Sequence, residues 1–219
     1  TPTDLVFPFF LFAVGNAMSF VMPKLEAAGD GIFWRKVLKR TALIFLIGLF
    51  LNWNPFVMWQ NNELVFKSWT WTDNKENLQG IRILGVLQRI ALCYFFASVL
   101  VYYFKARKAF YAGLILLLLY WVLCIVFNPA DPYSFAGWFG TDIDKAVLQV
   151  AYMYKGEGVP FDPEGLMSTI PSIVQVIFGY MVGDHIQKKG KSFEMVTGLF
   201  VAGVAMLVTG YCWDLVFPI

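Results

Sequence analysis

The sequence predicts an all-α fold, a polytopic transmembrane helical bundle, and three observations support this prediction. Hydrophobic residues make up 58% of the 219 positions, charged residues make up only 15%, and the mean hydropathy is +0.61. The charged residues also cluster between apolar runs of about twenty residues, the length that crosses roughly 30 Å of hydrocarbon at about 1.5 Å per residue. A water-soluble core of this size does not need so apolar a composition. We therefore expect a single membrane domain that covers residues 1–219.

About six membrane spans are predicted from these apolar runs. In chain order they cover residues 5–22, 41–59, 83–104, 109–127, 166–186 and 193–213. The fourth run, 109–127, is almost purely aliphatic and aromatic, so we expect it to face lipid and to carry no chemistry. The chain opens without a methionine or a charged segment, so the first run does not indicate a signal peptide. We expect a natural protein that extends beyond both ends of this chain.

The loops between the spans differ in charge. Loops 23–40, 105–108 and 187–192 contain most of the lysines and arginines, whereas the other two loops contain most of the carboxylates. By the positive-inside rule, the three basic loops are expected in the cytoplasm. The outer loops contain no Asn-X-Ser/Thr sequon, which favours a bacterial inner membrane over a luminal animal membrane. We call the end of the bundle with the three basic loops the basic end, and the opposite end the acidic end.

Several classes of site are not predicted. The formal net charge of +2 is small and scattered, so no nucleic-acid partner is expected. The three cysteines, Cys93, Cys124 and Cys212, lie in apolar runs without paired spacing, so neither a disulfide framework nor a metal site is expected. The single histidine, His185, lies close to lysines at the end of the fifth span, and a solvated or helix-end role is favoured over catalysis.

The polar residues of the third span are informative because the hydrocarbon core penalises them. Arg82 and Arg89 are seven residues apart, which is two helical turns, so they lie on nearly the same face, and Gln88 is next to Arg89. Arg89 lies roughly 10 Å inside the outer edge of the span by helical rise, where an unpaired arginine costs on the order of 3 kcal/mol. The sequence leaves two alternatives open for Arg89: a structural ion pair or snorkelled arginine, and anion binding in a polar cavity.

The fifth span begins with a helix-start pattern and continues as a polar stripe. Asp162, Pro163 and Glu164 supply a capping acceptor, a fixed φ and negative charge at the positive end of the helix dipole. Small and polar residues then recur every three or four positions along one face, namely Ser168, Ser172, Gln175, Gly179 and Gly183. Such a stripe usually packs against another helix, which we favour here over the alternative of a polar cavity wall.

Three segments resemble the motifs of one family. They are Asp4-Leu5-Val6-Phe7-Pro8-Phe9-Phe10 with Gly15, Arg82-Ile83 with Gly85-Val86-Leu87-Gln88-Arg89, and Phe161-Asp162-Pro163-Glu164-Gly165-Leu166 with Thr169 and Ser172. In these motifs, their order and their approximate spacing, the chain is similar to the membrane acetyltransferases related to heparan-α-glucosaminide N-acetyltransferase, including their bacterial relatives. The resemblance extends over nearly the whole chain.

The resemblance implies transfer of an acetyl group from cytosolic acetyl-CoA, the co-substrate, to an amino sugar or glycan on the outer face. In the family a histidine central to the chemistry lies shortly before the Asp-Leu-Val-Phe-Pro signature, so it is expected upstream of Thr1, with Asp4 as its catalytic partner. The resemblance further implies that acyl-CoA or the acceptor is bound by Arg82, Gln88, Arg89, Asp162, Glu164, Thr169 and Ser172. Tyr152 stands where relatives commonly have a histidine, which leaves the acceptor open. Without its histidine, this chain alone is not expected to be active.

Two other functions remain open at the level of sequence. The face of Arg82 and Arg89 and the polar stripe of the fifth span would also suit a non-enzymatic transporter or flippase for an anionic or sugar substrate. A family member retained for assembly without catalysis is a weaker alternative. The expected partners are the lipid bilayer, acetyl-CoA and a sugar or glycan acceptor, and the sequence does not decide whether the chain forms a homodimer.

Overall fold

The computed structural model of the chain describes residues 5–60, 63–72, 78–134, 137–156 and 158–216. Most of these residues are helical, which confirms the predicted all-α membrane bundle. The helices of the described part are α1 (Val6–Ala28), α2 (Asp30–Trp53), α3 (Val86–Phe127), α4 (Gly140–Leu148), α5 (Leu166–Lys189) and α6 (Phe193–Asp214). Between α2 and α3, four strands form two small antiparallel sheets: β1 (Val57–Gln60) pairs with β2 (Glu63–Phe66), and β3 (Thr70–Thr72) pairs with β4 (Leu78–Gly80).

Four helices of the described part, α1, α3, α5 and α6, are long and apolar enough to cross a membrane. Helix α3 contains both the third and the fourth predicted spans, and it is interrupted at Lys105, whose backbone (φ 60°, ψ 169°) is not helical. In the second segment, contacts with α5 move toward the start of α5 as the chain advances, from Phe110 with Phe178 to Gly113 beside Val174. This segment therefore runs antiparallel to α5 and returns to the acidic end.

The second predicted span, 41–59, differs most from the observed helix. Helix α2 begins earlier, at Asp30, and ends at Trp53, and the last residues of the predicted span belong to strand β1. Pro55 explains this end, because proline has no amide hydrogen and the residue before it disfavours the helical conformation. The third predicted span also starts late, at Val86, because Gly85 before it is extended.

Close backbone contact between α1 and α5 forms the centre of the bundle. A Cβ at Gly15 of α1 would overlap the carbonyl oxygen of Val176, and a Cβ at Gly179 of α5 would overlap the carbonyl oxygen of Phe12. Gly183, one turn after Gly179, also faces α1 at close range. The C-terminal part of the polar stripe, with Gly179 and Gly183, is therefore a helix-packing face, of the kind that small residues form in membrane bundles.

At the basic end, α1, α2 and the first segment of α3 contact one another through charged and aromatic side chains. The Lys105 ammonium lies 3.0 Å from a carboxylate oxygen of Glu26. The Tyr102 hydroxyl donates a hydrogen bond of 2.6 Å to Asp30, and the Tyr102 ring stacks on Phe33 with the ring centres 3.8 Å apart. These contacts hold the break in α3 against the junction of α1 and α2.

We expect Gly179→Leu to unfold the bundle at a lower temperature than the unchanged protein. The added side chain has no space between the two backbones, so its cost should reach or exceed the roughly 1–3 kcal/mol that is typical of overpacked cores. Thermal unfolding in detergent, followed by circular dichroism and by the monodisperse fraction, measures this effect.

Gly203→Leu on α6 is the matched control, because nothing lies within 4 Å of a Cβ at Gly203. It should leave the melting temperature nearly unchanged. Equal melting temperatures for the two variants would contradict the α1–α5 contact.

Candidate functional site

An ion-pair cluster at the acidic end joins the segments that precede α3 and α5. Arg82 precedes α3, and its Nε and Nη2 donate hydrogen bonds of 3.2 Å and 2.5 Å to the two carboxylate oxygens of Asp162. Nη2 also donates to the carboxylate of Glu164. The side chain of Asp162 is fully buried, whereas those of Arg82 and Glu164 are 25% and 16% exposed. The bidentate geometry fixes the start of α3 against the start of α5.

The local charges keep Arg82 protonated. Burial lowers the pKa of the Arg82 guanidinium, but the hydrogen bond and the charge of Asp162, together with Glu164, outweigh burial and raise the pKa above its ordinary value. The face of the Arg82 guanidinium also lies 4.8 Å from the centre of the Tyr154 ring. The contacts of Arg82 are therefore those of a structural ion pair.

Arg89 is placed differently, although it lies close to the same cluster. It is only 8% exposed, and its Nη2 donates to the Pro163 carbonyl oxygen, at 2.7 Å, and to the Ser168 hydroxyl. Its guanidinium carbon lies 5.6 Å from the centre of the Phe7 ring in the first turn of α1. Among the described residues, Arg89 forms no ion pair within 4.0 Å, and its Nε has no hydrogen-bond partner. Arg89 thus brings a buried positive charge, held by neutral groups, to the start of α5.

The other predicted binding residues on α3 and α5 do not point into this cluster. The hydroxyls of Thr169 and Ser172 donate to the backbone oxygens of Gly165 and Ser168, both at 2.9 Å, within their own helix. Gln88 is 1% exposed and packs close to Gly48 of α2, and neither atom of its amide has a partner among the described residues. These three side chains lie around the cluster rather than in it.

Asp144 of α4 is a buried carboxylate that the sequence patterns did not single out. One oxygen accepts a hydrogen bond of 2.9 Å from the backbone amide of Leu166, the first residue of α5, and the other packs against Gly165. The pKa of Asp144 is raised to about 6, chiefly by burial and also by the negative charge of Asp162, while the hydrogen bond from the Leu166 amide acts in the opposite direction. Asp144 therefore caps α5, although it lies more than twenty residues before it in the sequence. A local capping pattern does not indicate so distant a residue.

A large apolar cavity of about 1070 Å³ adjoins the cluster, between the second segment of α3, α5 and α6. Its walls include Phe110, Leu114, Leu117, Phe178 and Met206. At the acidic end the cavity reaches Pro163 and Ser168, which accept hydrogen bonds from Arg89, although Arg89 itself is not in the cavity wall. Run 109–127 was expected to face lipid, and many of its side chains are exposed, while others line this cavity. Composition does not indicate the cavity, because a lipid-facing helix and the wall of an apolar cavity contain the same residues.

Aromatic pairs line the cavity at this same end. The Trp138 indole donates a hydrogen bond of 3.0 Å to the Tyr120 hydroxyl, and the Trp121 indole donates one of 3.0 Å to the Tyr133 hydroxyl. Trp138 also contacts Phe161 edge to face. The pairing satisfies the polar atoms of both indoles, so the wall is apolar toward the cavity.

Two further predicted residues lie elsewhere. Asp4, the predicted catalytic partner of an upstream histidine, lies outside the described residues. His185 lies at the basic end, beside Asp184 and Lys188, and takes no part in the cluster. The described residues contain no group of three or more histidine, cysteine, aspartate or glutamate side chains that could hold a metal ion.

Comparison with known proteins gives one distant relationship. No family model matches the chain. The chain is similar to the heparan-alpha-glucosaminide N-acetyltransferase of Mus musculus, with 26% identity over 230 residues that include 84% of the chain and 33% of the mouse protein. The chain thus spans about a third of the length of the curated relative that it matches. This similarity supports a distant relationship to a membrane acetyltransferase.

We expect Asp162→Asn to destabilise the protein more than Glu164→Gln. The asparagine keeps the volume of Asp162 but removes the charge that faces Arg82, and loss of one partner of a buried ion pair costs a few kcal/mol, roughly 2–4 for this partly exposed arginine. Glu164 is nearer the surface, so its neutral variant should cost less than about 1 kcal/mol. Melting temperatures in detergent compare the two variants, and equal losses would show that Asp162 is not the main partner.

Asp144→Asn should stabilise the protein above about pH 6. Because the folded pKa of Asp144 is raised to about 6 from an ordinary value of 3.8, its ionisation favours the unfolded state, and stability is lost as the pH rises between these values. Asparagine stays neutral and keeps the acceptor for the Leu166 amide. Melting temperatures from about pH 4 to about pH 8 should show an advantage of the variant that grows to about pH 6 and then stays constant. An advantage that is the same at every pH would contradict the raised pKa.

Proposed function

We propose that the chain is part of a membrane acyltransferase that moves an acetyl group from cytosolic acetyl-CoA to an amino sugar or glycan on the outer face. The observation that carries the proposal is the meeting of two separate motifs, residues 82–89 and 161–173, in one buried cluster of charges beside a large cavity. The similarity to a mouse membrane acetyltransferase supports the same reaction class. The acidic end is proposed to face outward, in a bacterial inner membrane.

The two arginines of the cluster would have different tasks in this reaction. Arg82 is bound to Asp162 and Glu164, so it would hold the starts of α3 and α5 in position. Arg89 has no carboxylate partner among the described residues, so its charge would be available to an anion. Acyl transfer from a thioester places negative charge on the carbonyl oxygen in the transition state, and a preorganised guanidinium stabilises such charge strongly in a site that excludes water. We propose this role for Arg89.

The nucleophile or base would come from a histidine upstream of Thr1, with Asp4 as its partner. An imidazole beside a carboxylate can remove the proton of an acceptor amine or take up the acetyl group itself. The first turn of α1 reaches the cluster through the contact of Phe7 with Arg89, which supports a site at this end of α1. Gln88, Thr169 and Ser172 would act as supports of the site, since their polar groups are directed to their own helices or to α2.

A transporter or flippase is the second candidate, and the cavity is the observation that favours it. The walls of the cavity are mostly apolar, however, and a hydrophilic sugar would lose its hydration there without matching hydrogen bonds. We therefore rank the acyltransferase first.

The test uses the full-length protein in liposomes, with acetyl-CoA labelled in its acetyl group and glucosamine as the acceptor. We expect labelled N-acetylglucosamine to form, and Arg89→Gln to lower the rate by about 10²–10³, the loss that follows removal of one oxyanion donor. Arg89→Lys, which keeps the charge, should retain more activity than Arg89→Gln.

Arg107→Gln is the matched control, because Arg107 is exposed at the basic end, away from the cluster. Its rate should equal that of the unchanged protein. A parallel assay uses labelled glucosamine without acetyl-CoA. Absence of acetyl transfer in the first assay, together with uptake of labelled glucosamine into the liposomes in the second, would overturn the acyltransferase in favour of the transporter.

A further inference from the structure

The strand pair β1–β2 has one face that is apolar and exposed. Residues opposite each other in an antiparallel register share a face, and side chains alternate along a strand. Val57 pairs with Phe66 and Trp59 pairs with Leu64, so these four side chains lie on one face, which we call the apolar face. All four are exposed among the described residues, Trp59 to 73% and Phe66 to 66%. An exposed patch of this composition marks a contact with a membrane or with another protein.

We propose that the apolar face of β1–β2 lies against the lipid bilayer at the acidic end, toward the boundary between head groups and acyl chains. The partner of this surface is thus the lipid itself. The contact does not depend on acetyl transfer.

The lipid-facing surface of α2 is too short to cross the hydrocarbon by itself. Within the described part of the chain, α2 is not among the four helices that are long and apolar enough to cross a membrane. Its exposed apolar side chains recur every three or four residues along one face: Leu43, Leu46, Ile47, Phe50 and Leu51. The exposed Lys39 and Arg40 precede this stripe, and the helix ends at Trp53. Residues 41–53 cover about 20 Å at about 1.5 Å per residue, against roughly 30 Å of hydrocarbon. An apolar surface that continues beyond Trp53 reduces this mismatch.

The apolar face continues from the end of α2. Residues 54–56 separate α2 from β1. The Trp53 ring contacts the rings of Phe56 and Phe66, with ring centres 5.9 Å and 5.7 Å apart. The Trp53 indole also donates a hydrogen bond of 2.8 Å to the carbonyl oxygen of Lys67, just after β2. These contacts hold β1–β2 against the end of α2, so its apolar face adjoins a surface that faces lipid. This continuity favours lipid as the occupant over a second copy of the chain.

The neighbouring sheet β3–β4 shows that an apolar face is particular to β1–β2. Trp71 pairs with Gln79, and Thr72 pairs with Leu78, so both faces of β3–β4 contain polar side chains. The Gln79 amide oxygen accepts a hydrogen bond of 2.8 Å from the Lys155 ammonium. Sheet β3–β4 therefore has the mixed composition of a surface in water, although it belongs to the same connection between α2 and α3.

The backbone of β1–β2 limits how deeply it can enter the bilayer. Open strand edges do not occur in the hydrocarbon, because their amides and carbonyls have no partners there, whereas tryptophan is enriched at the membrane–water interface. We therefore expect β1–β2 to lie flat at the interface, with Trp59 and the rest of the apolar face toward the acyl chains. The opposite face, where Gln60 pairs with Glu63, is expected to face water.

Spin labels on the two faces of β2 test the proposal in the full-length protein in nanodiscs. A nitroxide is attached to Leu64→Cys on the apolar face or to Glu63→Cys on the opposite face, in a background without other exposed cysteines, which includes Cys212→Ser. Oxygen concentrates in lipid, and a nickel chelate stays in water, so power saturation with each of them reports the surroundings of the label. We expect the label at position 64 to collide more with oxygen and to lie about 5–10 Å below the phosphates, the depth of interfacial segments. The label at position 63 should collide more with the nickel chelate.

Two further positions extend the comparison. Trp59→Cys, on the apolar face, should behave as Leu64→Cys does, and Thr72→Cys, at an exposed residue of β3, should behave as Glu63→Cys does. All four replaced side chains are exposed, so melting temperatures and monodispersity in detergent should match those of the unlabelled background.

Three results would overturn the proposal. More frequent collisions with the nickel chelate at positions 59 and 64 would place the apolar face in water. Few collisions with either reagent at these positions would show that protein covers the face, and broadening of the spectrum between labels would identify that protein as a second copy. An excess of oxygen collisions at positions 63 and 64 alike would place both faces in the hydrocarbon. None of these results bears on acetyl transfer, so the two proposals can fail separately.

Discussion

The close contact of α1 with α5 determines the position of every other element of the site. Gly15, Gly179 and Gly183 let the two backbones meet without side chains between them, and in a bilayer such packing replaces the hydrophobic driving force that water would supply. Because α5 is fixed against α1, Arg89 of α3 contacts both helices, Ser168 in the first turn of α5 and Phe7 in the first turn of α1.

The charges at the acidic end are arranged so that most of the desolvation cost is offset locally. Asp162 is fully buried and accepts hydrogen bonds from Arg82 and from the backbone amide of Glu164, so its carboxylate is compensated on several sides. Asp144 is compensated by a single amide of α5, which is why its pKa rises while it still caps the helix. Arg89 donates to two neutral oxygens and forms no ion pair among the described residues, and the proposed acetyl transfer depends on its charge.

The sequence predicted those features that a short segment indicates by itself, through its hydropathy, through regular spacing of its small residues, or through a charge that is unfavourable in hydrocarbon. The membrane bundle follows from apolar runs, the packing stripe of α5 from the spacing of its small residues, and attention to Arg89 from the penalty on a charge in hydrocarbon. The capping role of Asp144 was missed because its partner Leu166 is distant in sequence and no propensity links them. The cavity wall in run 109–127 was missed because hydropathy does not distinguish a surface that faces lipid from one that faces an internal space. Asp4 remains a prediction.

The bundle is fastened at both of its ends, which limits how it can move. At the basic end Tyr102 and Lys105 attach α3 to Asp30 and Glu26, and at the acidic end Arg82 attaches the start of α3 to the start of α5. Rocking of α3 against α1 and α5, as alternating access requires, would break a buried ion pair in each cycle. Helix α6 is held more loosely: Met195 is its one buried residue, and an exposed ion pair of Lys189 with Glu194 and an edge contact of Trp213 with Trp121 join it to α5 and α3. A sideways displacement of α6 alone would therefore cost little and would leave the charged cluster intact.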